Sequence, residues 1–461
     1  MSEERYEQAV GILSDALKFG IHASLEGISK MMAEMGNPHL KYPAIQVAGT
    51  NGKTSTVRQI AAILRTYGLR TGLYTSPHLV EYPERIEIDG KVVSHDLFAD
   101  GVLLAKKTAD MLEKRDGLQI TEFELVTAAC FWIFAQENID VAVLEVGMGG
   151  RWDSTSIVDR DVAVVTGIGL DHIGILGDTV EEIAGEKAAI ISKGCKAVLG
   201  PGTQQTLQVF LGRSAEVGVS PWLVRDSQTA EKMKSGEGLP SGDGLAAPAG
   251  MVSYDSSYDE EEGRIDIDVH GAFGDYPGIV MHAPLYQAQN ISTAVAACEQ
   301  YLGHALDPQK VRSAMADFTV PGRFEMLSEQ PLLIIDAAHN PQSALNLATA
   351  IARKFPDGGF QMLLAVLADK DANGIIEAIA GLTPDIAVTQ TSSHRALSRF
   401  ELADKVEQLT GTRPEIFDTP EVALEELLLR GVPIVASGSI TLAGEVKAAW
   451  LKHVAERKAI L

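Results

Sequence analysis

The stretch AIQVAGTNGKTS, residues 44–55, decides how the first part of this chain folds. Residues Ala44 to Ala48 form a short apolar run that is typical of a buried strand. From Ser55 onward, apolar residues recur at helical spacing: Val57, Ile60, Ala61 and Leu64. The pattern predicts a strand, a tight glycine turn and a helix, in that order.

The glycine turn is a candidate phosphate-binding loop. Glycines between a strand and a helix let backbone N–H groups converge on phosphate oxygens at the positive end of the helix dipole. Lys53 would then reach the β and γ phosphates of ATP, and the Thr54 hydroxyl would ligate Mg²⁺. The expected ATP-binding residues are Gly49, Thr50, Asn51, Gly52, Lys53, Thr54 and Ser55. Only two residues separate the glycines, where the common loop has four, and a plain strand–helix connector is the alternative.

From residue 44 to about residue 200, short runs rich in β-branched residues alternate with helical patterns, which predicts a parallel α/β sheet. We expect strands at Ala44–Ala48, Val141–Val146 and Val162–Ile168. We expect helices at Ser55–Tyr67, Phe123–Gln136 and Val180–Ser192.

After residue 318 the same alternation resumes, with strands near Leu332, Met362, Ile386, Glu415 and Ile434. Pro321-Gly322 ends one pattern and precedes the next, so we place the hinge at this pair. The predicted domains are residues 1–318 and 319–461. Residues 226–263 are rich in Gly, Ser, Pro and acid, which predicts a flexible acidic insertion.

Composition limits the classes of function. The formal charge of −23 argues against a nucleic-acid partner, because phosphate backbones are bound by clustered Lys and Arg. No apolar run approaches the roughly 20 residues of a membrane span, and the polar N-terminus lacks a signal-peptide pattern. We therefore expect a cytoplasmic protein without a membrane partner. The three cysteines are far apart and indicate neither disulfides nor a zinc site.

Two further strand ends carry groups suited to binding metal. Ligands of open parallel sheets bind outside the carboxyl ends of the strands, and Glu145 and His172 follow two apolar runs there. A carboxylate held by a rigid strand is a suitable Mg²⁺ ligand, and His172 is a plausible second ligand. The alternative for each is a side chain that simply turns toward solvent.

Lys187 falls on the apolar stripe of its predicted helix, four residues after Ile183 and three before Ile190. The lysine either extends its ammonium group into water or is a neutralised or modified side chain that serves chemistry. The sequence leaves both interpretations open.

Seven ordered motifs resemble folylpolyglutamate synthases, including the bacterial forms that are also dihydrofolate synthases, within the Mur ligase superfamily. The motifs are VAGTNGKTS, TSPHL, EVGMGGRWDST, LDHIGILGDTVEEIAGEKAAII, VPGRFE, IDAAHNP and SGSITLAGEV. The resemblance implies an α/β fold: a parallel-sheet, P-loop ATP-binding domain, followed by a smaller Rossmann-like α/β C-terminal domain with glutamate-ligase function.

The resemblance also implies roles for individual residues. Lys53, Lys187, Asp336 and His339 would be catalytic, and Asn290, Arg323 and Asp336 would contact ATP. Glu145 with Thr54 or Ser76 would hold one Mg²⁺ ion, and His172 with a carbamylated Lys187 would hold a second. Ser76, Pro77, His78 and Asp153 would shape the folate or pterin site. Trp152 and Ser156 depart from the commoner Leu and Asn of the family, which puts the shape of that site in doubt.

The reaction implied is transfer of L-glutamate to a folate, and also to dihydropteroate, with ATP as co-substrate and an acyl phosphate as intermediate. The family also implies a monomer. One rival is another Mur-type amide ligase, although only 48 residues precede Gly49, which leaves no room for a nucleotide-sugar domain. The other rival is a nucleotide-binding regulator that is not a ligase.

Overall fold

The computed structural model describes residues 2–20, 22–171, 174–383 and 385–460. The chain divides into two compact units. Unit 1 comprises residues 1–257, 266–281 and 287–318, and unit 2 comprises residues 258–265, 282–286 and 319–461.

The larger sheet has eleven strands in the order β11-β10-β9-β8-β7-β6-β1-β5-β2-β3-β4. They are β1 (Ala44–Ala48), β2 (Thr71–Tyr74), β3 (Ile86–Ile88), β4 (Lys91–Val92), β5 (Val141–Glu145), β6 (Arg160–Gly167), β7 (Lys196–Gly202), β8 (Trp222–Asp226), β9 (Gly250–Asp259), β10 (Arg264–His270) and β11 (Asp275–Met281). β1 lies between β5 and β6 and pairs in parallel with both. The predicted phosphate loop therefore leaves the sheet beside the ends of the two strands that precede Glu145 and His172.

The helices of unit 1 are α1 (Ser2–Ala16), α2 (Glu26–Glu34), α3 (Lys53–Thr66), α4 (His95–Asp116), α5 (Glu122–Gln136), α6 (Val180–Ala188), α7 (Leu207–Val217), α8 (Ser227–Lys234), α9 (Gln287–Leu302) and α10 (Pro308–Met315). One apolar cluster joins α1, α2, α4 and α5 to the sheet, and another joins α6 and α7 to it. Burial of apolar surface on this scale is the main stabilising contribution to such a layered fold.

Unit 2 contains a six-stranded sheet in the order β12-β13-β17-β14-β15-β16. Its strands are β12 (Glu325–Glu329), β13 (Leu332–Ile335), β14 (Gln361–Leu364), β15 (Ile386–Val388), β16 (Glu415–Ile416) and β17 (Ile434–Ser437). Its helices are α11 (Pro341–Lys354), α12 (Ala372–Ile379), α13 (Arg399–Thr410), α14 (Pro420–Leu428) and α15 (Ile440–Ile460). The β12–β13 pair is antiparallel and the other pairs are parallel. The predicted fold class, a large parallel-sheet domain with a smaller α/β domain, is confirmed.

Two local predictions differ from the structure. α6 ends at Ala188, four residues before the predicted end at Ser192. The segment 226–263, expected to be a flexible insertion, contains α8 and the whole of β9, and β9 pairs in parallel with β8. Val252 and Tyr254 of β9 point into the core at alternate positions, and this short alternation is hidden among the surrounding Gly, Ser and acidic residues.

None of the described helices is long and apolar enough to cross a membrane.

Candidate active site

The loop between β1 and α3 has the backbone conformation of a tight anion-binding turn. Gly49 and Gly52 both have positive φ, at 153° and 86°. A Cβ at Gly49 would lie 2.0 Å from the Thr166 hydroxyl, and one at Gly52 would lie 2.5 Å from Asn290 Oδ1. Only glycine fits either position, because both the left-handed conformation and the close neighbours exclude a side chain.

The loop is also tied to the end of β6. The Thr50 amide donates to Gly167 O at 2.8 Å, and the Thr166 hydroxyl donates to Asn51 O at 2.6 Å. Lys53, the first residue of α3, folds back over the loop and donates from Nζ to Gly49 O at 3.0 Å and Thr50 O at 3.2 Å. An ammonium group held over a turn at a helix N-terminus is placed to meet a bound phosphate.

Glu145 meets the phosphate loop directly. The Thr54 hydroxyl donates to Glu145 Oε1 at 2.9 Å, and the Ser76 amide donates to Glu145 Oε2 at 3.4 Å. Glu145 is 2 % exposed. The structure thus brings together the three residues expected around one Mg²⁺ ion. A buried carboxylate beside a hydroxyl is a hard oxygen donor set that suits this ion.

No group of three or more His, Cys, Asp or Glu side chains within the described residues could by itself hold a metal ion. One protein carboxylate with a hydroxyl is nevertheless a normal Mg²⁺ site when substrate phosphates complete the coordination. His172 lies outside the described residues, so its predicted ligand role stays a prediction.

Lys187 is buried, with 4 % of its surface exposed, on α6. Burial, reinforced by the nearby charge of Lys53, lowers the pKa of Lys187 to about 7, while Asp171 and Asp153 oppose this change. A side chain this fully buried does not extend its ammonium group into water, so that interpretation is wrong. The structure also brings Lys187 near the phosphate-loop lysine, as the sequence-based hypothesis of a common site requires.

Asn290, at the N-terminal end of α9, reaches the phosphate loop, where it faces Gly52. It donates to Gln287 Oε1 at 2.9 Å, and Gln287 donates to the Ser55 hydroxyl at 3.1 Å. Gln287 was missed in the sequence, because a glutamine three positions before Asn290 matches no motif. It holds Asn290 and Ser55 in one buried hydrogen-bond network.

Asp153 accepts hydrogen bonds from nearby backbone amides. Its Oδ2 accepts from the Met148 amide at 3.0 Å, and its Oδ1 accepts from the amide and hydroxyl of Thr155 at 2.9 and 2.5 Å. Burial raises the pKa of Asp153, and these hydrogen bonds act against the rise. These contacts fix the loop that follows Glu145, so whatever role Asp153 has toward a substrate comes in addition to a structural one.

Ser76, Pro77 and His78 follow β2 on the same sheet. Ser76 meets Glu145, as described, and Pro77 is exposed. His78 accepts at Nδ1 from Arg85 Nε at 3.0 Å and lies against the Tyr82 ring, with 4.4 Å between ring centroids. Burial and the Arg85 charge lower the pKa of His78 to about 3, so this imidazole is neutral at physiological pH.

In unit 2, Asp336 follows β13 and is buried. Its Oδ2 accepts from the Phe324 amide at 2.7 Å, and its Oδ1 accepts from the Ala338 amide at 2.8 Å. Burial raises the pKa of this carboxyl, whereas the positive charge of Arg323 lowers it. His339 Nδ1 lies 2.8 Å from Ala337 O, and this contact fixes the ring with Nδ1 protonated. The three predicted residues of this unit are thus neighbours.

These features define the class of protein. Unit 1 carries a phosphate loop with a lysine, a buried carboxylate–hydroxyl pair and a buried lysine of low pKa, and unit 2 carries an Arg–Asp–His group at the end of a parallel strand. Residues 47–200 match the family model of the Mur ligase middle domain, and residues 322–439 match that of the Mur ligase glutamate ligase domain. The chain is therefore an ATP-dependent ligase of the Mur type.

Comparison with individual proteins narrows this class. The chain is 34% identical to a dihydrofolate synthase/folylpolyglutamate synthase of Mycobacterium tuberculosis, over 93% of this chain and 90% of the relative. It is 31% identical to a protein of the same name from Bacillus subtilis, over 87% and 89%. The chain belongs to the dihydrofolate synthase/folylpolyglutamate synthase family.

Solved structures also match this chain over nearly its whole length. The structure of a folylpolyglutamate synthase from Mycobacterium tuberculosis complexed with ADP has a TM-score of 0.86 and 31% identity, covering 98% of this chain and 99% of that one. A protein from Escherichia coli in complex with DHPP and ADP has a TM-score of 0.80 and 27% identity, with 98% of each chain covered.

Proposed function

We propose that this protein ligates L-glutamate to the carboxylate of a folate, and to dihydropteroate, at the expense of ATP. The observation that carries the proposal is the meeting of Thr54, Glu145 and Lys53 at the end of β1, with Lys187 close by. That set suits phosphoryl transfer to a carboxylate, which is a poor electrophile until one of its oxygens becomes part of a leaving group.

The chemistry takes two steps. A carboxylate oxygen of the acceptor attacks the γ-phosphorus of ATP, the bond to the bridging oxygen breaks, and ADP leaves. The nitrogen of glutamate then attacks the acyl carbon, phosphate leaves, and the nitrogen loses a proton as the amide forms. Most of the enzyme's contribution to such a reaction is positioning and neutralisation of charge.

We assign Lys53 and the loop amides of residues 49–55 to the phosphates of ATP, and Asn290 to the nucleotide beside them. Thr54 and Glu145, with Ser76 next to them, would hold Mg²⁺, which when bound offsets the negative charge of the transferred phosphoryl group. In unit 2 we assign Arg323, Asp336 and His339 to contacts with ATP and the reacting carboxylate.

We further propose that Lys187 reacts with carbon dioxide. A lysine with a pKa of about 7 is largely a free amine under physiological conditions, and the amine is the nucleophilic form. The amine nitrogen bonds to the carbon of CO₂ and releases one proton, which gives a carbamate anion. The product replaces a buried amine with an anionic oxygen ligand for a second metal ion.

The decisive experiment measures ADP release and product mass with purified protein. ATP, glutamate and either tetrahydrofolate or dihydropteroate are supplied together and with each omitted in turn. We expect ADP release only in the complete mixtures, with product heavier than the acceptor by one glutamyl residue. ADP release that does not depend on glutamate would overturn the ligase proposal, and turnover with only one acceptor would restrict the enzyme to that substrate.

A further inference from the structure

β1 carries one polar side chain in the middle of the core. Gln46 is fully buried, between apolar neighbours on a strand that is itself buried along its whole length. Its Nε2 donates to the Thr155 hydroxyl at 2.8 Å and to the Ser156 hydroxyl at 3.0 Å. Its Oε1 is buried and has no hydrogen-bond partner among the described residues. A buried amide that leaves its carbonyl unsatisfied destabilises the fold, so its presence requires an explanation.

The two hydroxyls decide which way the amide points. The Thr155 hydroxyl uses its hydrogen on Asp153 Oδ1 at 2.5 Å, and the Ser156 hydroxyl uses its hydrogen on Gly150 O at 2.6 Å. Each hydroxyl has a single hydrogen, so both can only accept from Gln46. The carboxamide nitrogen must therefore face them, and the unsatisfied carbonyl follows from that choice.

Both chains of hydrogen bonds end on the same loop, residues 146–150, which follows Glu145. One chain runs through Thr155 and Asp153 to the Met148 amide, and the other runs through Ser156 to the Gly150 carbonyl. Gln46 thus connects the strand that leads into the phosphate loop with the loop after the neighbouring strand.

That loop has little room to move. A Cβ at Gly147 would lie 2.6 Å from Phe123 Cζ and 3.2 Å from Asp153 Oδ2. A Cβ at Gly150 would lie 2.8 Å from the backbone oxygen of Glu186 and 3.2 Å from Lys187 Cα. The loop is therefore packed against the ring of Phe123 at one end and the helix that carries Lys187 at the other, so a shift in its position is passed to both.

We propose that Gln46 is a positioning residue for the acceptor substrate: its carboxamide sets the shape of the loop 146–150 beside the reacting carboxylate. The inference rests on the proposed function, because only a carboxylate acceptor that receives the γ-phosphoryl group must lie next to Glu145 and Lys187. In-line transfer tolerates little displacement of the acceptor, so a loop that borders it affects how well the acceptor binds in the reactive position.

The kinetic test uses Gln46→Met and Gln46→Glu. Methionine keeps the shape and removes both donors together with the unsatisfied carbonyl, so we expect a Tm within about 3 °C of wild type. We expect the KM for tetrahydrofolate or dihydropteroate to rise roughly three- to tenfold, with the KM for ATP changed less than about twofold. Glutamate at this position has no donor for the two hydroxyls, so its acceptor KM should rise at least as much.

Gln361→Met is the matched control. Gln361 is likewise buried on a strand and also has an amide atom, Nε2, without a partner among the described residues, but it is the first residue of β14, in unit 2. We expect this variant to lose stability, since Gln361 accepts from Arg430 at 2.9 Å, and to keep the acceptor KM of wild type. A Gln46→Met enzyme whose acceptor KM matches wild type, or whose KM for ATP rises as much as that for the acceptor, would overturn the inference.

Amide hydrogen exchange separates this inference from the proposed function. If wild type shows no glutamate-dependent ADP release, the kinetic comparison has no basis, but the loop can still be observed. In Gln46→Met we expect the protection of amides in the loop 146–150 to fall about tenfold, whereas Gln361→Met leaves it unchanged. Unchanged exchange in the Gln46 variant would disprove the positioning role whatever reaction the enzyme catalyses.

Discussion

The low pKa of Lys187 makes the stability of unit 1 depend on pH in a defined direction. A lysine whose pKa falls from 10.5 in the unfolded chain to about 7 in the folded protein binds fewer protons when folded. Stability therefore rises with pH between these two values and falls as the pH drops through that window. At pH 6 the folded protein must hold a charged, buried ammonium group next to the charge of Lys53.

The size of the effect follows from the same two values. One pKa unit corresponds to about 1.36 kcal/mol, so the contribution of Lys187 should change by about 2.5 kcal/mol between pH 6 and pH 9. The reference is Lys187→Met, which fills a similar volume and does not titrate. The variant should have the larger free energy of unfolding at pH 6, and its advantage over wild type should shrink by this amount at pH 9. It should also have lost nearly all ligase activity.

The assay is urea unfolding of the metal-free, nucleotide-free protein in buffer without carbon dioxide, followed by tryptophan fluorescence. Three of the four tryptophans, Trp132, Trp152 and Trp222, lie in unit 1, so the signal reports mainly on the unit that contains Lys187. A difference in free energy of unfolding between wild type and variant that is the same at both pH values would show that Lys187 keeps its ordinary pKa when folded. A group whose protonation does not change on folding makes no pH-dependent contribution to stability.

Three other substitutions test the site. Thr54→Val removes the hydroxyl that donates to Glu145, and we expect kcat to fall about 100-fold with little change in Tm. Activity near that of wild type would show that Thr54 has no role in catalysis. Gly52→Ala places a Cβ against Asn290 Oδ1 at positive φ, so ADP affinity measured by calorimetry should fall by about 1–2 kcal/mol, and unchanged affinity would contradict the close packing of the loop. His78→Asn should leave the pH dependence of kcat between pH 5 and 8 unchanged, because burial and the Arg85 charge lower the pKa of His78 to about 3; a lost inflection in that range would show that His78 titrates there.

The central strand, loop and helix could be predicted from the sequence because each is a local pattern. A short run with four apolar residues among five, two glycines at a fixed spacing and a helical repeat need no distant partner to be recognised. The position of Lys187 on an apolar stripe similarly indicated that its ammonium group either extends into water or is neutralised or modified. Glu145 could be placed at the same sheet edge as Lys53, since parallel strands bring their carboxyl ends together.

Contacts between distant segments could not be predicted in the same way. Gln46 stands in an apolar run and contacts residues more than 100 positions away, so no local pattern marks its role. Asn290 was found only through resemblance, and its bridging neighbour Gln287 was not found at all. β9 was missed because its few buried side chains are outnumbered by polar ones in a segment whose composition is typical of flexible chains.

The central place of β1 in the eleven-stranded sheet limits how the site can move. A strand with parallel partners on both sides exchanges its amide hydrogens only when a large part of the domain opens. Motions near the site are therefore confined to the loops and helices that follow the strands, while their attachment points on the sheet stay fixed through each turnover. Substitutions in the loops should alter the rates of loop motions on the millisecond scale. Substitutions inside β1 should instead alter the position from which the phosphate loop starts.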